Sequence, residues 1–198
     1  MNLQKLPNYL SYSRIVITFA ILVLLTEPTF LSRIVAFTLF LLAAASDFLD
    51  GFIARRYNLV SEEGKLIDPL TDKILVVSVL IMLVELKRTE SGVLTDQSYL
   101  PAWLVALFVI REIWVLGLRS VHALRNKALQ ASQTAKWKTL LQMLAISFLI
   151  LGNIPLWKIS GYIVTTYIVG YYILIVSLIF SIISAVAYTV EVFKEYNS

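Results

Sequence analysis

Residues 47–72 read DFLDGFIARRYNLVSEEGKLIDPLTD, a polar stretch that separates two apolar runs. Its four aspartates fall into two pairs, Asp47 with Asp50 and Asp68 with Asp72. Residues three or four positions apart lie on the same face of an α-helix, so each pair shares a face. We predict that the pairs lie at the neighbouring ends of two helices, and that the short connection between these helices lets the four carboxylates converge.

The chain as a whole is apolar enough to belong in a membrane. Its 198 residues are 59% hydrophobic and 15% charged, whereas soluble domains are roughly 45–50% apolar and about 25% charged. Because about 20 apolar residues cross a bilayer as a helix, we predict an all-α integral membrane protein with six transmembrane helices. The six apolar segments are Tyr9 to Leu25, Ile34 to Leu49, Leu66 to Leu86, Leu100 to Leu118, Leu140 to Ile154, and Tyr162 to Val190.

Nothing in the sequence marks a second domain, since linkers, low-complexity tracts and repeats are absent, and residues 1–198 are predicted to form one membrane domain. The absence of cysteine excludes disulfides and thiolate metal sites. The formal charge of +4 and the pI near 9.3 could suggest nucleic acid, but the basic residues lie between apolar runs rather than along one soluble face. We therefore expect membrane lipids and phosphorylated substrates as partners, and no nucleic acid.

The positions of lysine and arginine predict the orientation, because cytoplasmic loops are enriched in both. One side of the membrane collects Lys5, Arg55, Arg56, Lys65, Lys73, Arg119, Arg125, Lys127, Lys136, Lys138 and Lys194. The other side has Arg33, Lys87, Arg88 and Lys158. Both termini and the aspartates are therefore predicted to be cytoplasmic, in a multi-pass protein of the cell membrane whose active site faces the cytoplasm.

Ionisable side chains also lie within the apolar segments, among them Arg14, Arg111 and Glu112. A charge that faces lipid is costly, so these residues are predicted to face a shared polar cavity. Four carboxylates beside such a cavity must protonate, pair or bind cations. Hard oxygen ligands favour Mg²⁺, Mn²⁺ or Ca²⁺ over zinc, and two ions could clamp the oxygens of a phosphoryl transfer. The alternative is a set of helix-end charges paired with the neighbouring Arg55, Arg56, Lys65 and Lys73.

Three further residues of the stretch suit a nucleotide. Gly51 and Gly64 remove side-chain bulk where a nucleotide could approach the backbone, and Arg55 could bind a phosphate. Equally, Gly64 could only cap a turn, and Arg55 could only anchor the orientation. The spacing as a whole is D-x-x-D-G-x-x-A-R-x8-G-x-x-x-D-x-x-x-D, and every fixed position is matched from Asp47 to Asp72. In this the segment resembles the signature of the CDP-alcohol phosphatidyltransferases.

The resemblance implies a six-helix membrane enzyme, usually a homodimer, that transfers a phosphatidyl group from CDP-diacylglycerol to an alcohol. It implies two metal ions, Mg²⁺ or Mn²⁺, bound by Asp47, Asp50, Asp68 and Asp72. It assigns recognition of the CDP moiety to Asp50, Gly51, Ala54, Arg55 and Gly64. It also makes Asp72 the general base that takes the proton of the acceptor hydroxyl as CMP leaves; the residues alone leave this role open to any of the four carboxylates.

Three stretches outside the signature resemble the members of this family that use glycerol 3-phosphate and make phosphatidylglycerophosphate. They are Leu6 to Ile15, Arg111 to Arg119, and Lys136 to Met143. The sequence departs from those members at Leu116 and Ser120, and it has Thr71 where alanine is usual. A member that uses phosphatidylglycerol and makes cardiolipin is the close alternative.

A cluster of cations also fits a small phosphorylated acceptor, because charge-assisted bonds to phosphate are strong. The predicted acceptor site consists of Arg111, Arg119, Lys136 and Lys138. Lys136 and Lys138 could instead be topology anchors, and Glu112 is expected to pair with a basic residue such as Arg119 or Arg14.

The alternative from another functional class is a membrane metal-ion transporter or a non-catalytic subunit. A transporter needs a polar route through both leaflets, whereas the acidic residues concentrate at one face.

Overall fold

The computed structural model describes the backbone of residues 6–57, 62–90, 93–124, 133–159 and 162–196. It describes the side chains of residues 12–46, 70–86, 99–120, 136–158 and 162–194. Each of the six apolar segments corresponds to a helix in this part of the chain. The helices are α1 (Leu6–Thr26), α2 (Phe30–Tyr57), α3 (Glu62–Glu85), α4 (Ala102–Leu124), α5 (Gln133–Leu151) and α6 (Thr166–Tyr196).

Two β-hairpins lie in the connections that follow α3 and α5, and the all-α prediction missed both. In the first, β1 (Lys87–Glu90) pairs with β2 (Val93–Ser98), and in the second, β3 (Pro155–Ile159) pairs with β4 (Tyr162–Thr165). β4 occupies the start of the predicted sixth segment, so α6 begins at Thr166. β4 consists of an aromatic residue followed by Ile, Val and Thr, which favour strands. The apolar pattern alone does not separate such a strand from the beginning of a helix.

The helices pack around an apolar core. α1 contacts α2 and α3, α5 lies along α6 and also contacts α2, and α4 contacts α3 and α6. Burying these side chains gives the main favourable contribution to packing, about 25 cal/mol for each Å² of apolar surface removed from solvent. The fully buried residues at the helix contacts include Ile21, Leu25, Phe40, Leu80, Leu83, Leu100, Leu104, Phe108, Ile146 and Leu174.

The outer faces of the helices are apolar, and several charged side chains are buried beside the apolar core. Large apolar residues on the outer faces are open, with Phe19 66% and Val23 72% exposed. Charged residues such as Arg14 and Arg111 are buried between helices. Soluble proteins seldom expose apolar surface this extensively. Exposed apolar faces with ionisable side chains turned inward are typical of helices in a bilayer.

One helix in the described part of the chain has both the length and the apolar character needed to cross a membrane. It covers Thr166–Lys194, with a mean hydropathy of 2.5, and shorter apolar helices cover Tyr12–Thr26 and Phe30–Ser46. The long helix belongs to α6, as the charge-free sixth segment predicted. Together with the exposed apolar faces, it suggests a membrane protein.

The C-terminus of α5 is closed by residues from three other parts of the chain, and we call Arg33, Tyr99, Gly152 and Thr166 the α5 cap. Arg33 Nη1 donates to the carbonyl of Ile150 (3.1 Å), and Tyr99 Oη donates to that of Leu149 (2.9 Å). The guanidinium of Arg33 also lies 5.6 Å from the centre of the Tyr99 ring. Gly152 ends the helix with φ of +83°, and its carbonyl accepts a hydrogen bond from the hydroxyl of Thr166. A cation and hydroxyl donors thus satisfy the carbonyls that a helix end leaves open.

Candidate active site

Asp72 lies in α3, where this helix packs against α1. Its side chain is 18% exposed, and Oδ2 lies 3.7 Å from Nζ of Lys73. Oδ1 is buried and has no hydrogen-bond partner among the described residues. The preceding Thr71, where the family usually has alanine, accepts a hydrogen bond from Nη1 of the buried Arg14 (3.2 Å). Asp72 is therefore held at a helix contact with one carboxylate oxygen open to a further ligand.

Glu112 of α4 is the centre of a buried group of charges, and we call Asp72, Lys73, Arg111, Glu112 and Lys138 the carboxylate cluster. Oε1 of Glu112 accepts from Nη1 of Arg111 (3.1 Å) and pairs with Nζ of Lys138. Oε2 lies 2.6 Å from Nζ of Lys73. The Glu112 and Lys138 side chains are only 4% and 3% exposed. Charges from α3, α4 and α5 therefore meet on one carboxylate that solvent screens little.

Helix α6 completes this arrangement through serines and backbone carbonyls. Arg111 donates from Nε to the carbonyl of Ser181 (2.9 Å) and from Nη2 to the hydroxyl of Ser184. Ser177 Oγ donates to the carbonyl of Lys138 (3.1 Å). A serine is short enough to let helices approach closely, and it supplies a donor and acceptors in an apolar interior. The same contacts therefore join α6 to α4 and α5 and fix the guanidinium of Arg111.

The predicted metal and nucleotide residues lie on helices, as their spacing indicated. Asp47, Asp50, Gly51, Ala54 and Arg55 belong to α2, and Gly64 and Asp68 belong to α3 together with Asp72. The helical backbone confirms the premise that each pair of aspartates lies on one helix. Apart from Asp72, these side chains lie outside the described residues, so their convergence stays a prediction.

The four predicted acceptor residues divide into two groups. Arg111 and Lys138 meet on Glu112. Arg119 lies against α6, where its Nη2 donates to Tyr188 Oη (3.2 Å) and its guanidinium lies 5.2 Å from the centre of that ring. Lys136 is exposed near the start of α5. The structure thus brings two of the four together in the carboxylate cluster, while their role in binding an acceptor stays a prediction.

Some participants of the cluster were not foreseen. Glu112 was expected to pair with a basic residue such as Arg119 or Arg14. A basic partner is confirmed, but the contacts that the structure gives are with Lys73, Arg111 and Lys138. Lys73 was predicted as a residue of the cytoplasmic side, and its contact with Glu112 was not predicted. The serines of α6 received no role, although their spacing of four and three residues, at positions 177, 181 and 184, is that of one helix face. That periodicity could have predicted that the three serines share one face of α6.

A divalent metal ion suits the donor set of this region. Asp72 offers a buried oxygen that accepts no hydrogen bond from the described residues, and carboxylate oxygens are the ligands that Mg²⁺ and Mn²⁺ prefer. Within the described side chains, no group of three or more acidic, histidine or cysteine residues could hold a metal. Only one of the four signature aspartates belongs to that part of the chain. The described residues therefore offer one carboxylate oxygen that fits a hard cation, and the ligands from α2 stay a prediction.

Comparison with known proteins gives a consistent family assignment. The family model described as CDP-alcohol phosphatidyltransferase matches residues 4–187. A CDP-diacylglycerol–glycerol-3-phosphate 3-phosphatidyltransferase from Rickettsia typhi is 40% identical over 186 residues, which is 94% of this chain and 96% of the relative. A protein of the same name from Bacillus subtilis is 33% identical and covers 79% of this chain and 81% of its own length. Another from Mycoplasma pneumoniae is 33% identical, with 72% and 66% covered.

The family match extends well beyond the signature, through both hairpins and into α6. It agrees with the resemblance found in residues 47–72. The chain therefore belongs to the CDP-alcohol phosphatidyltransferase family, and it is an enzyme of that family.

Proposed function

We propose that the enzyme transfers the phosphatidyl group of CDP-diacylglycerol to the hydroxyl of glycerol 3-phosphate, forming phosphatidylglycerophosphate and releasing CMP. The observation that carries this proposal is the similarity to the relative from Rickettsia typhi, whose name states both substrates and which is 40% identical across 94% of this chain. Because the match includes α4 and α5 as well as the signature, it covers the residues predicted to choose the acceptor.

The signature residues supply the donor site. Asp47, Asp50, Asp68 and Asp72 would hold two ions, Mg²⁺ or Mn²⁺, and the CDP moiety would be bound by Asp50, Gly51, Ala54, Arg55 and Gly64. When bound, such ions neutralise developing negative charge on phosphoryl oxygens. The open Oδ1 of Asp72 supports this assignment, because a buried carboxylate oxygen without a partner is costly.

The transfer is a displacement at the phosphorus that carries diacylglycerol. The hydroxyl oxygen of the acceptor forms a bond to this phosphorus, and the bond between the phosphorus and the bridging oxygen of CMP breaks. The hydroxyl proton passes to the carboxylate of Asp72, and the bridging oxygen leaves with CMP. General-base assistance of this kind contributes typically 10²–10⁴-fold to the rate.

The carboxylate cluster supports a phosphorylated acceptor. Lys73, Arg111 and Lys138 carry three positive charges around the single charge of Glu112. An excess of buried positive charge attracts an anion, and bonds from Arg and Lys to phosphate are charge-assisted. We propose that Arg111 and Lys138, with Arg119 and Lys136 nearer the surface, bind the phosphate of the acceptor.

The protein is proposed to be a multi-pass protein of the cell membrane, with six spanning helices, both termini in the cytoplasm and an active site facing the cytoplasm. A homodimer is proposed on the same family grounds. The exposed apolar faces and the lysine and arginine asymmetry support the topology.

Cysteines introduced at Gln130 and Gly92, which are proposed to lie on opposite sides of the membrane, should label from opposite faces of sealed vesicles. Labelling of both from one side would contradict the six-span arrangement.

The purified protein with CDP-diacylglycerol, Mg²⁺ and a panel of acceptors tests the activity. We expect release of CMP and formation of phosphatidylglycerophosphate when glycerol 3-phosphate is supplied. A preference for phosphatidylglycerol, with cardiolipin as product, would select the other branch of the family and leave the donor site unchanged. Failure to release CMP with any alcohol, together with metal uptake by sealed vesicles that contain the protein, would support the transporter.

A further inference from the structure

Lys73 forms ion pairs with two carboxylates, one much closer than the other. Its Nζ is 2.6 Å from Oε2 of Glu112 but 3.7 Å from Oδ2 of Asp72. The first is a close ion pair, and the second is a looser one, because attraction between charges falls with distance. The ammonium group is therefore held by Glu112, although Asp72 is its immediate neighbour in the chain.

Glu112 is also held from the other side, by cations other than Lys73. Arg111 and Lys138 hold its Oε1, and Arg111 is itself bound to Ser181 and Ser184 of α6. Three helices thus keep the glutamate in place at a position that solvent barely reaches. An attraction between charges in such a place is much stronger than one at the surface.

Without Glu112, Lys73 would have Asp72 as its nearest carboxylate among the described residues. An ammonium group in direct contact would compete for the lone pairs of Asp72, and its positive charge would oppose a divalent cation beside that oxygen. At present Oδ1 of Asp72 has no hydrogen-bond partner within the described part of the chain.

We propose that Glu112 is a positioning residue that holds Lys73 away from Asp72, so that Asp72 keeps its oxygens for a divalent metal ion and for the proton of the acceptor. This proposal rests on the proposed function, since it takes Asp72 to be a metal ligand. It gives α4 a role in the donor site, to which the signature contributes only α2 and α3.

The test measures Mn²⁺ binding to the purified full-length protein in detergent, by titration calorimetry or by the paramagnetic signal of free Mn²⁺, with no substrate present. Residues that orient a metal ligand typically change metal affinity ten- to a hundredfold when replaced. We therefore expect Glu112→Gln to weaken Mn²⁺ binding by about ten- to a hundredfold. Adding Lys73→Gln to this variant should restore binding to near that of the unaltered protein. Glu85→Gln, an exposed glutamate at the end of α3, is the matched control and should bind normally.

Restoration by Lys73→Gln is the decisive result, because it separates positioning from two simpler roles. If Glu112 were itself a metal ligand, or if its loss merely loosened the helices, removing a lysine would not recover affinity. Lys73→Gln alone should bind Mn²⁺ at least as tightly as the unaltered protein. Weak binding by Lys73→Gln alone would overturn the proposal.

Glu112→Gln leaves Lys138 buried beside an uncharged partner, which can prevent folding. The pair Glu112→Gln and Lys138→Met removes both charges together and, like the single variant, leaves Lys73 without its glutamate. It should show the same loss of Mn²⁺ affinity and the same recovery when Lys73→Gln is added. Normal Mn²⁺ affinity in both Glu112 variants would disprove the proposal while leaving the metal site intact. No Mn²⁺ binding by the unaltered protein would instead remove the proposed metal site, and this inference with it.

Discussion

The α5 cap and the carboxylate cluster both join helices through an arginine that donates to backbone carbonyls. In the α5 cap, Arg33, Tyr99 and Thr166 each donate to one carbonyl at the end of α5. In the carboxylate cluster, three cations share Glu112, and the neighbouring Oδ1 of Asp72 is buried without a hydrogen-bond partner in the described part of the chain.

The difference predicts a structural role for the first cluster and a functional one for the second. A set of donors matched to acceptors needs nothing further and stabilises the fold. A set with surplus positive charge and an open carboxylate can accept a ligand or metal ion, and such sets are concentrated at active sites. Gln142, one helical turn beyond Lys138, adds another buried group of this kind, because its Nε2 has no partner among the described residues. Substitutions in the two clusters should therefore differ in what they change.

The largest effect is expected at Asp72. Asp72→Asn keeps the size of the side chain but removes its ability to take a proton, so kcat should fall roughly 10²–10⁴-fold. The KM for CDP-diacylglycerol should change far less, and the thermal unfolding midpoint should stay close to that of the unaltered protein. Metal occupancy has to be measured alongside, because loss of a metal ion would also lower kcat. An unchanged kcat would exclude Asp72 as the base. It would also contradict the functional role assigned to the carboxylate cluster.

The sequence predicted the six helices because each coincides with an apolar segment, and it predicted the aspartate pairs because their spacing is a local property of a helix. It did not predict the contacts of Glu112, which depend on how α3, α4 and α5 are rotated against one another. Arg111 and Arg119 illustrate this. They are eight residues apart on α4, and their side chains therefore leave the helix in directions about 80° apart. Arg111 therefore reaches Glu112 and Ser181, whereas Arg119 reaches Tyr188.

A smaller effect is expected at Lys136 and Lys138 of α5. Substitutions there test which of the two lysines belongs to the acceptor site. If both bind the acceptor phosphate, Lys138→Gln and Lys136→Gln should each raise the KM for glycerol 3-phosphate about ten- to a hundredfold and leave that for CDP-diacylglycerol unchanged. Only Lys138→Gln should also destabilise the protein, by about 1–3 kcal/mol, because it removes a partner of the buried Glu112. Lys136 is exposed and serves as the matched control for stability. An unchanged acceptor KM in Lys136→Gln would identify that lysine as a topology anchor.

In the α5 cap, Gly152→Ala should reduce stability without changing KM or kcat. The residue has φ of +83°, and an added Cβ would lie 2.8 Å from Nη1 of Arg33. The left-handed conformation alone costs a non-glycine residue about 1–2 kcal/mol. Gly117→Ala is the control, since a Cβ there meets nothing within 4 Å and the residue lies inside α4. That change should leave stability unaltered or raise it, because alanine favours a helix. Equal loss in both variants would show that the cap geometry is not responsible.

The smallest effect is expected from Tyr99→Phe, which removes one hydroxyl and keeps the ring. The ring stays beside the guanidinium of Arg33 and 4.7 Å from the centre of the Tyr167 ring, and the hydrogen bond to the carbonyl of Leu149 is lost. That carbonyl still accepts from the backbone N–H of Gly152 (3.1 Å). The cost should therefore be about 0.5–1.5 kcal/mol, seen as a fall of a few degrees in the thermal midpoint with unchanged kinetics. Tyr172→Phe, at an exposed position of α6, should show no fall. A loss of activity in Tyr99→Phe at full stability would contradict the division between the two clusters, because it would give the α5 cap a part in catalysis.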